Sequence, residues 1–248
     1  MSIESEIIGH YAQKEESETA RGHDHLHIGG EKATRYFFDK ISLKPGMRVL
    51  DIGCGIGGPA LLAAQDYGCY VTGIDLTPDF IETARANAKT IGLESSTDFQ
   101  IANATKLAFP DDHFDLVMMV HVGMNIPNKE TVYREAARVI KPGGMIAIYD
   151  ILAQKNAALM TYPCPWAETK KTSFMQDYRA IERYITEAEL EIKYTENCCT
   201  FAVQSISKML DTMGDNLSPP RKIAMQNLLQ NITNEACAPF IIIAHKDG

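Results

Sequence analysis

Between residues 49 and 60 the chain reads VLDIGCGIGGPA: an apolar strand signal, a carboxylate, and then Gly53, Gly55, Gly57 and Gly58. No other stretch limits the fold as strongly. Glycines are needed where a strand turns sharply into a helix and the backbone must lie against a ligand, because a side chain there would clash or forbid the dihedrals. Two spacings fit this loop at once. Gly53, Gly55 and Gly58 match the G-x-G-x-x-G of dinucleotide-binding units, while Asp51, Gly53, Gly55 and Gly57 spell D-x-G-x-G-x-G.

The loop opens an alternation of short β-branched runs with helical patterns, the signature of strand-helix units around a parallel sheet. MRVLDI reads as the first strand and CYVTGID as the second, with PALLAAQDY as the helix between them. Pro78 opens the next helix at a first-turn position and Gly92 closes it. TDFQIANA, the continuous apolar run FDLVMMV and GMIAIYD follow as strands three to five. KETVYREAARVI is an amphipathic helix whose end is expected at Lys141-Pro142-Gly143-Gly144.

Residues 151–178 break this rhythm with Pro163, Pro165 and the single Trp166, and read as an insertion of loop character. A helix near DYRAIERYITEA, a strand near ELEIKYTEN, two helical stretches and a last strand APFIIIAHK complete the pattern. The order of the last two strands does not follow from pattern. Residues 1–46 precede the sheet, with a helix, a glycine-histidine segment and a second helix, EKATRYFFDKIS.

A net charge of −8 argues against nucleic acid or an anionic membrane as the main partner, since phosphate backbones call for a basic surface. A small molecule fits better. No apolar run reaches the ~20 residues of a membrane span, and MSIESEIIGHYAQKEESE lacks the basic-then-apolar layout of a signal peptide, so a cytoplasmic location is expected. The six cysteines form no C-x-x-C pair, which indicates neither a zinc site nor a disulfide framework. Cys54, inside the glycine loop, reads as small filler rather than a nucleophile.

Asp51 separates the two cofactor readings. A carboxylate beside the first glycine would repel a pyrophosphate, whereas it can accept hydrogen bonds from a cationic α-amino group. S-adenosylmethionine carries such a group and no phosphate. Asp75, at the end of the second strand and beside the ribose by strand order, has two acceptor oxygens suited to a vicinal diol. It also reads as a strand-end aspartate capping the following helix.

VLDIGCGIGG, VTGIDLT, IANATKLAFPDDHFDLV and REAARVIKPGGMIAIYD, in this order, resemble the class I S-adenosylmethionine-dependent methyltransferases of the type 11 branch over residues 47–150. The resemblance implies a Rossmann-like α/β fold. Its sheet would be seven-stranded and mostly parallel with helices on both faces, in a methyltransferase domain over 47–248. Residues 1–46 would form a helical lid and 151–178 a substrate-cap insertion after strand five. It also implies that Asp51, Gly53, Gly55 and Gly57 lie against the methionine part, Asp75 on the ribose, Leu76 against adenine, and Asn103 with Ala104 at the adenine edge. Asn103 stands where the family usually has aspartate; its carbonyl can still accept from the adenine amino group.

Methyl transfer from a sulfonium needs an aligned nucleophile ~3 Å from the methyl carbon and exclusion of water, so catalytic residues are weakly written. His121, after the fourth strand in MVHVGMNIPN, is a candidate to orient or deprotonate the acceptor, to touch the cofactor, or to serve as a structural histidine. RGHDHLHIGGEKATRYFF resembles the segment ahead of the first strand in sarcosine and dimethylglycine N-methyltransferases, where it covers cofactor and substrate. Tyr11, His25 and His27 are therefore lid candidates. The alternating His23, His25 and His27 invite a metal reading, but no further cluster has ligand spacing and no metal is expected. Tyr162, Pro163, Pro165, Trp166 and Phe174 either line an acceptor pocket or pack the insertion onto the sheet.

The expected activity is methyl transfer to a small-molecule acceptor, an amine such as a glycine derivative, with S-adenosylhomocysteine as coproduct. An O- or C-methyltransferase of a ring or quinone-like compound is the alternative, and a homodimer is compatible with either. From other classes stand an NAD-dependent oxidoreductase using Gly53, Gly55 and Gly58, and a cofactor-binding module without catalysis. HVGMNIPN has none of the D/N-P-P-Y/F character of nucleic-acid methyltransferases.

Overall fold

The computed structural model describes residues 27–248. Tyr11, His23 and His25 lie outside the described residues. Seven strands form one sheet in the order β3-β2-β1-β4-β5-β7-β6. They are β1 (Arg48–Ile52), β2 (Tyr70–Asp75), β3 (Thr97–Ile101), β4 (Phe114–Val120), β5 (Ile140–Ala153), β6 (Leu190–Asn197) and β7 (Cys237–Lys246). The first five pair in parallel, and β7 runs antiparallel between β5 and β6. This is the mostly parallel seven-stranded sheet expected, and it supplies the order that pattern left open.

Strand pleating sends alternate side chains to opposite faces, and both faces are apolar here. Val49, Val71, Leu116 and Met118 pack with helices α1 (Gly30–Asp39), α2 (Gly58–Tyr67) and α3 (Pro78–Thr90). Leu50, Ile52, Val117 and Met119 pack on the other face with α4 (Lys129–Val139) and α5 (Tyr178–Glu187). Each such fully buried Val, Leu or Ile contributes roughly 1.5–3 kcal/mol. A third cluster gathers Ile28, Met124 and Trp166 with α6 (Cys199–Met213) and α7 (Pro219–Thr233), the two helices between β6 and β7.

Helix α1, read as part of a lid, divides its residues. Ala33, Phe37 and Phe38 are buried in the core against the sheet, while Gly30 and Lys32 at its start line the central cavity.

Strand β5 differs from the sequence expectation at both ends. Helix α4 stops at Val139, and Ile140 already pairs with Phe114, so the Lys141–Gly144 turn is a bulge inside the strand. Buried Ile140 and the Lys141 Nζ contact with Asp115 Oδ1, at 2.6 Å, hold it there. At the far end β5 runs through Ile151 and Leu152 to Ala153, because β7 supplies partners as far as Cys237. The irregular segment therefore starts after Ala153, with only two short 3-10 turns before α5.

Candidate active site

Chain direction along the sheet reverses at β1: β2 and β3 lie on one side, β4 and β5 on the other. The loops leaving the carboxyl ends of β1 and β4 are thereby parted, which opens a crevice at the switch point. A cavity of about 900 Å³ occupies it.

The glycine loop forms its floor. Gly53 N–H and Cys54 N–H both donate to the Ile74 carbonyl, at 2.8 and 3.0 Å, tying the loop to the end of β2. Gly53 has φ +73°, and a Cβ there would run into Val122; Gly57, with φ +90°, caps α2 against Phe99 and Ala84. The positive φ strains any side chain at both positions, and at Gly53 the contact with Val122 forbids one as well.

Asp51 is 1 % exposed, and its Oδ2 has no hydrogen-bond partner among the described residues. Burial first, and the nearby Asp75 charge second, push its carboxyl up to about 8. An orphaned carboxylate oxygen on a cavity wall marks a place where a cationic or N–H donor belongs. Asp75 accepts Gly55 N–H at 3.0 Å on Oδ2 and Thr77 N–H at 2.9 Å on Oδ1. It thus shapes the loop and the start of α3, with the Thr77 side chain and the Leu76 backbone adding to its hydrogen bonds. Burial raises its pKa, and those backbone N–H groups oppose the rise.

Leu76, Asn103 and Ala104 line the same half of the cavity. Asn103 also has a local role. Its Oδ1 accepts Thr105 N–H at 2.9 Å and Thr105 Oγ1–H at 2.8 Å, which occupies both lone pairs of the carbonyl in a local turn.

His121 follows β4 with φ +51°, a conformation uncommon for non-glycine residues, and its N–H donates to Tyr149 O at 2.7 Å. Its ring lies 4.7 Å from that of Tyr149 and 5.6 Å from that of His27. Neither His121 Nε2 nor the Tyr149 hydroxyl has a partner among the described residues. Burial pulls the His121 imidazole down to about 3, so it is neutral near pH 7. His27 Nε2 lies 3.0 Å from Thr34 Oγ1, which orients the ring at the cavity edge. The structure thus brings His27 and His121 together at one wall.

A buried pair unmarked by the sequence pattern holds the loop that follows His121. Lys129 Nζ donates to Ile126 O at 2.7 Å and to Phe174 O at 2.5 Å, and Phe174 N–H donates to Met124 O at 2.8 Å. Asp150, fully inside, accepts Ile151 N–H at 2.8 Å and packs on Gly123, where any Cβ would meet its Oδ2. Burial raises the Asp150 carboxyl and lowers the Lys129 ammonium, each opposed by the other's charge. A lysine in the first turn of an amphipathic helix carries no signal that it will be buried.

Helices α6 and α7 make the wall facing the glycine loop. On α6 the positions Phe201, Ser205, Met209 and Met213 face the cavity, and on α7 Met225 and Leu228 do. From the insertion only Pro165 and Trp166 reach it. Trp166 is 3 % exposed and donates Nε1–H to Ser173 Oγ at 3.0 Å. Tyr162 and Phe174 instead pack or bond within the insertion and its neighbours. The i, i+4 rows on α6 and α7 were in the sequence, but the same rows describe any core-facing helix.

None of the six cysteines is in a disulfide, and burial raises the Cys54 thiol well above its ordinary value, which suits filler. Among the described residues no three histidine, cysteine or carboxylate side chains gather in a metal-binding group.

Comparison with known proteins identifies the class. Residues 50–148 match the methyltransferase domain family. Methyltransferase GfsG of Streptomyces halstedii is 32% identical over 163 residues, covering 60% of this chain and 59% of that protein. Phosphoethanolamine N-methyltransferase 3 of Arabidopsis thaliana is 38% identical over 129 residues, 52% of this chain and 26% of that protein. The chain thus spans about three fifths of the first relative and a quarter of the second. A sarcosine dimethylglycine methyltransferase structure from Galdieria sulphuraria superposes with a TM-score of 0.79 at 14% identity, covering 99% of this chain and 98% of that one.

The fold and the glycine loop define a class I, Rossmann-like methyltransferase architecture. Residues 50–148 are a type 11 methyltransferase domain, whose cofactor is S-adenosylmethionine. Gly58 accordingly opens α2 instead of completing a dinucleotide fingerprint. Among the described residues no helix is long and apolar enough to cross a membrane.

Proposed function

We propose that the chain transfers the methyl group of S-adenosylmethionine to a largely apolar small molecule lying against α6, α7 and Trp166. The observation that carries this reading is the continuity of one cavity from the glycine loop to that apolar wall. Asp51 takes the α-amino group of the cofactor on its unpartnered Oδ2, Gly53 and Gly55 lie against the methionine part while Gly57, which does not line the cavity, turns the loop into α2, and Asp75 takes the ribose diol. Leu76 and Ala104 flank the adenine, and Asn103 shapes the turn beside it. When bound, the cofactor supplies a methyl group already activated by its sulfonium.

What this chain's residues then do is align and dry the acceptor. Neutral His121 and, 5.6 Å away, the His27 ring line the cavity together. As the Nδ1–H tautomer, His121 can accept a hydrogen bond from the acceptor on Nε2, while the burial that lowers its pKa to about 3 makes it a weak base. The likeness to a sarcosine dimethylglycine methyltransferase supports an amine acceptor. The apolar wall favours a ring or extended hydrocarbon acceptor methylated at carbon or oxygen, because a glycine-sized amine would leave Trp166, Phe201, Met209 and Met225 facing empty space.

Calorimetric titration with S-adenosylhomocysteine and with NAD, followed by donor consumption across matched apolar and glycine-type acceptors, tests the reading. Binding of S-adenosylhomocysteine and turnover of apolar acceptors are expected. Tight NAD binding without response to S-adenosylhomocysteine would overturn it, and donor binding without turnover of any acceptor would favour a non-catalytic module.

A further inference from the structure

The central cavity keeps its charges apart. The carboxylates lining it are Asp51 and Asp75, both at strand ends in the donor half. The cations lining it are Lys32, Lys208 and Arg221, from α1, α6 and α7 around the acceptor half. The whole chain carries 32 Asp and Glu against 24 Lys and Arg, so a wall with only cations runs against the overall balance.

The cations also sit at a definite depth. On α6, Gln204, Lys208 and Thr212 form a polar row at i, i+4, i+8 beside the row Phe201, Ser205, Met209 and Met213. Lys208 is exposed, whereas Trp166 and Leu228, at 3 % and 1 % exposure, lie deep. Lys32 stands over the Phe201 ring at 5.9 Å, spanning from α1 to α6. Three carboxylates stand near this region, Glu168, Asp211 and Asp215; none of them lines the cavity, and Asp215 is held by Lys222 at 3.2 Å. An apolar floor under a cationic rim, with low-dielectric walls to focus the field, suits a ligand that is apolar along its length and negative at one end.

We propose that the methyl acceptor is an anionic amphiphile, its apolar body on Trp166, Met209, Met225 and Leu228 and its phosphate or carboxylate group held at the rim by Lys208 and Arg221 with Lys32. This rests on the methyl-transfer reading of the same cavity. It narrows the acceptor to a chemical class and fixes which end of it points outward.

Trp166 is the one tryptophan of the chain and lines the acceptor half, so its fluorescence reports occupancy. The protein saturated with S-adenosylhomocysteine is titrated with decyl phosphate, decanoate and decanol, which share one apolar body. At low salt the anions are expected to bind about tenfold more tightly than decanol, and the preference is expected to shrink as salt rises. The tighter of the two anions identifies the head group. The double variant K208E/R221E is expected to lose the preference while its affinity for S-adenosylhomocysteine stays unchanged, which also reports that it folds. Equal binding of decanol and the anions, a preference that survives in the double variant, or no response to any of the three with donor binding intact would each overturn the proposal. Absence of S-adenosylhomocysteine binding in the unmodified protein would instead overturn the methyl-donor reading.

Discussion

The donor and acceptor halves of the cavity are built by different means. The donor half consists of strand ends and tight loops: Gly53 and Gly57 have left-handed dihedrals, and Asp51 and Asp75 sit where β1 and β2 stop. The acceptor half is a surface of helix side chains from α6 and α7 plus Pro165 and Trp166. Backbone geometry admits few residue types, so the donor half has a strict sequence signature. A helix face admits any residue of suitable size and polarity, so the acceptor half has none and is free to fit a particular molecule. Substitutions should therefore separate the halves: donor-half changes move cofactor affinity, and acceptor-half changes move acceptor kinetics alone.

Lys129 ties the loop after β4 to the insertion, with its charge opposing that of buried Asp150, and removing it should have the largest effect. Lys129→Ala leaves Asp150 buried without its counter-charge and frees the Ile126 and Phe174 carbonyls; loss of one partner of a buried pair typically costs ~3–5 kcal/mol. The expected result in a denaturant melt is a loss of that order. If it instead falls below 1 kcal/mol, roughly the value of an exposed pair, the clamp does not hold the loop after β4.

Asp51→Asn comes next and acts in opposite directions on stability and binding. The folded carboxyl titrates at about 8, above its value of ~3.9 in an unfolded chain. A raised folded pKa means that the stability it contributes is complete below pH ~4 and is lost as pH rises through about 8. The cofactor-free Asn variant should therefore gain stability over wild type by roughly 1–3 kcal/mol at pH 8 and little at pH 4. Its affinity for S-adenosylhomocysteine should fall by ~1.5–3 kcal/mol through loss of the charged hydrogen bond. Thermal melts at two pH values and calorimetry read the two effects. Loss of affinity without the stability gain would mean that Asp51 is not strained in the free protein.

In the acceptor half, Met209→Ala removes apolar contact from a half-buried site and should raise acceptor KM by about tenfold, or ~1.4 kcal/mol, leaving S-adenosylhomocysteine affinity within twofold. Steady-state kinetics beside donor calorimetry checks this. Equal shifts in both would mean that the halves are not separable.

How far the sequence disclosed this arrangement follows the same division. The strands, the glycine loop and Asp51 were legible because alternating apolar runs and glycine spacing express local backbone demands. The extent of β5 was not, since its extra residues are held by pairing with β7, more than eighty residues away. The insertion was recognised by its prolines, yet the main acceptor wall lay in α6 and α7, whose amphipathic rows look like ordinary core packing. His121 was singled out by its position after β4; its neutrality comes from burial, which no motif records.

Asn103 gives the smallest expected effect and the finest discrimination within the donor half. Its Oδ1 serves the Thr105 turn, so Asn103→Ala should weaken S-adenosylhomocysteine binding only by ~0.5–1.5 kcal/mol, through a less ordered loop. The same loss is expected for S-inosylhomocysteine, in which the adenine amino group is replaced by oxygen. If the loop is merely held in shape, wild type and variant should show the same ratio of affinities for the two ligands. If Oδ1 accepts from the adenine amino group, the ratio must shrink in the variant, because the contact it removes exists for only one of them. The coupling term of this four-way cycle isolates direct reading of the base from loop support, where either single measurement would mix the two.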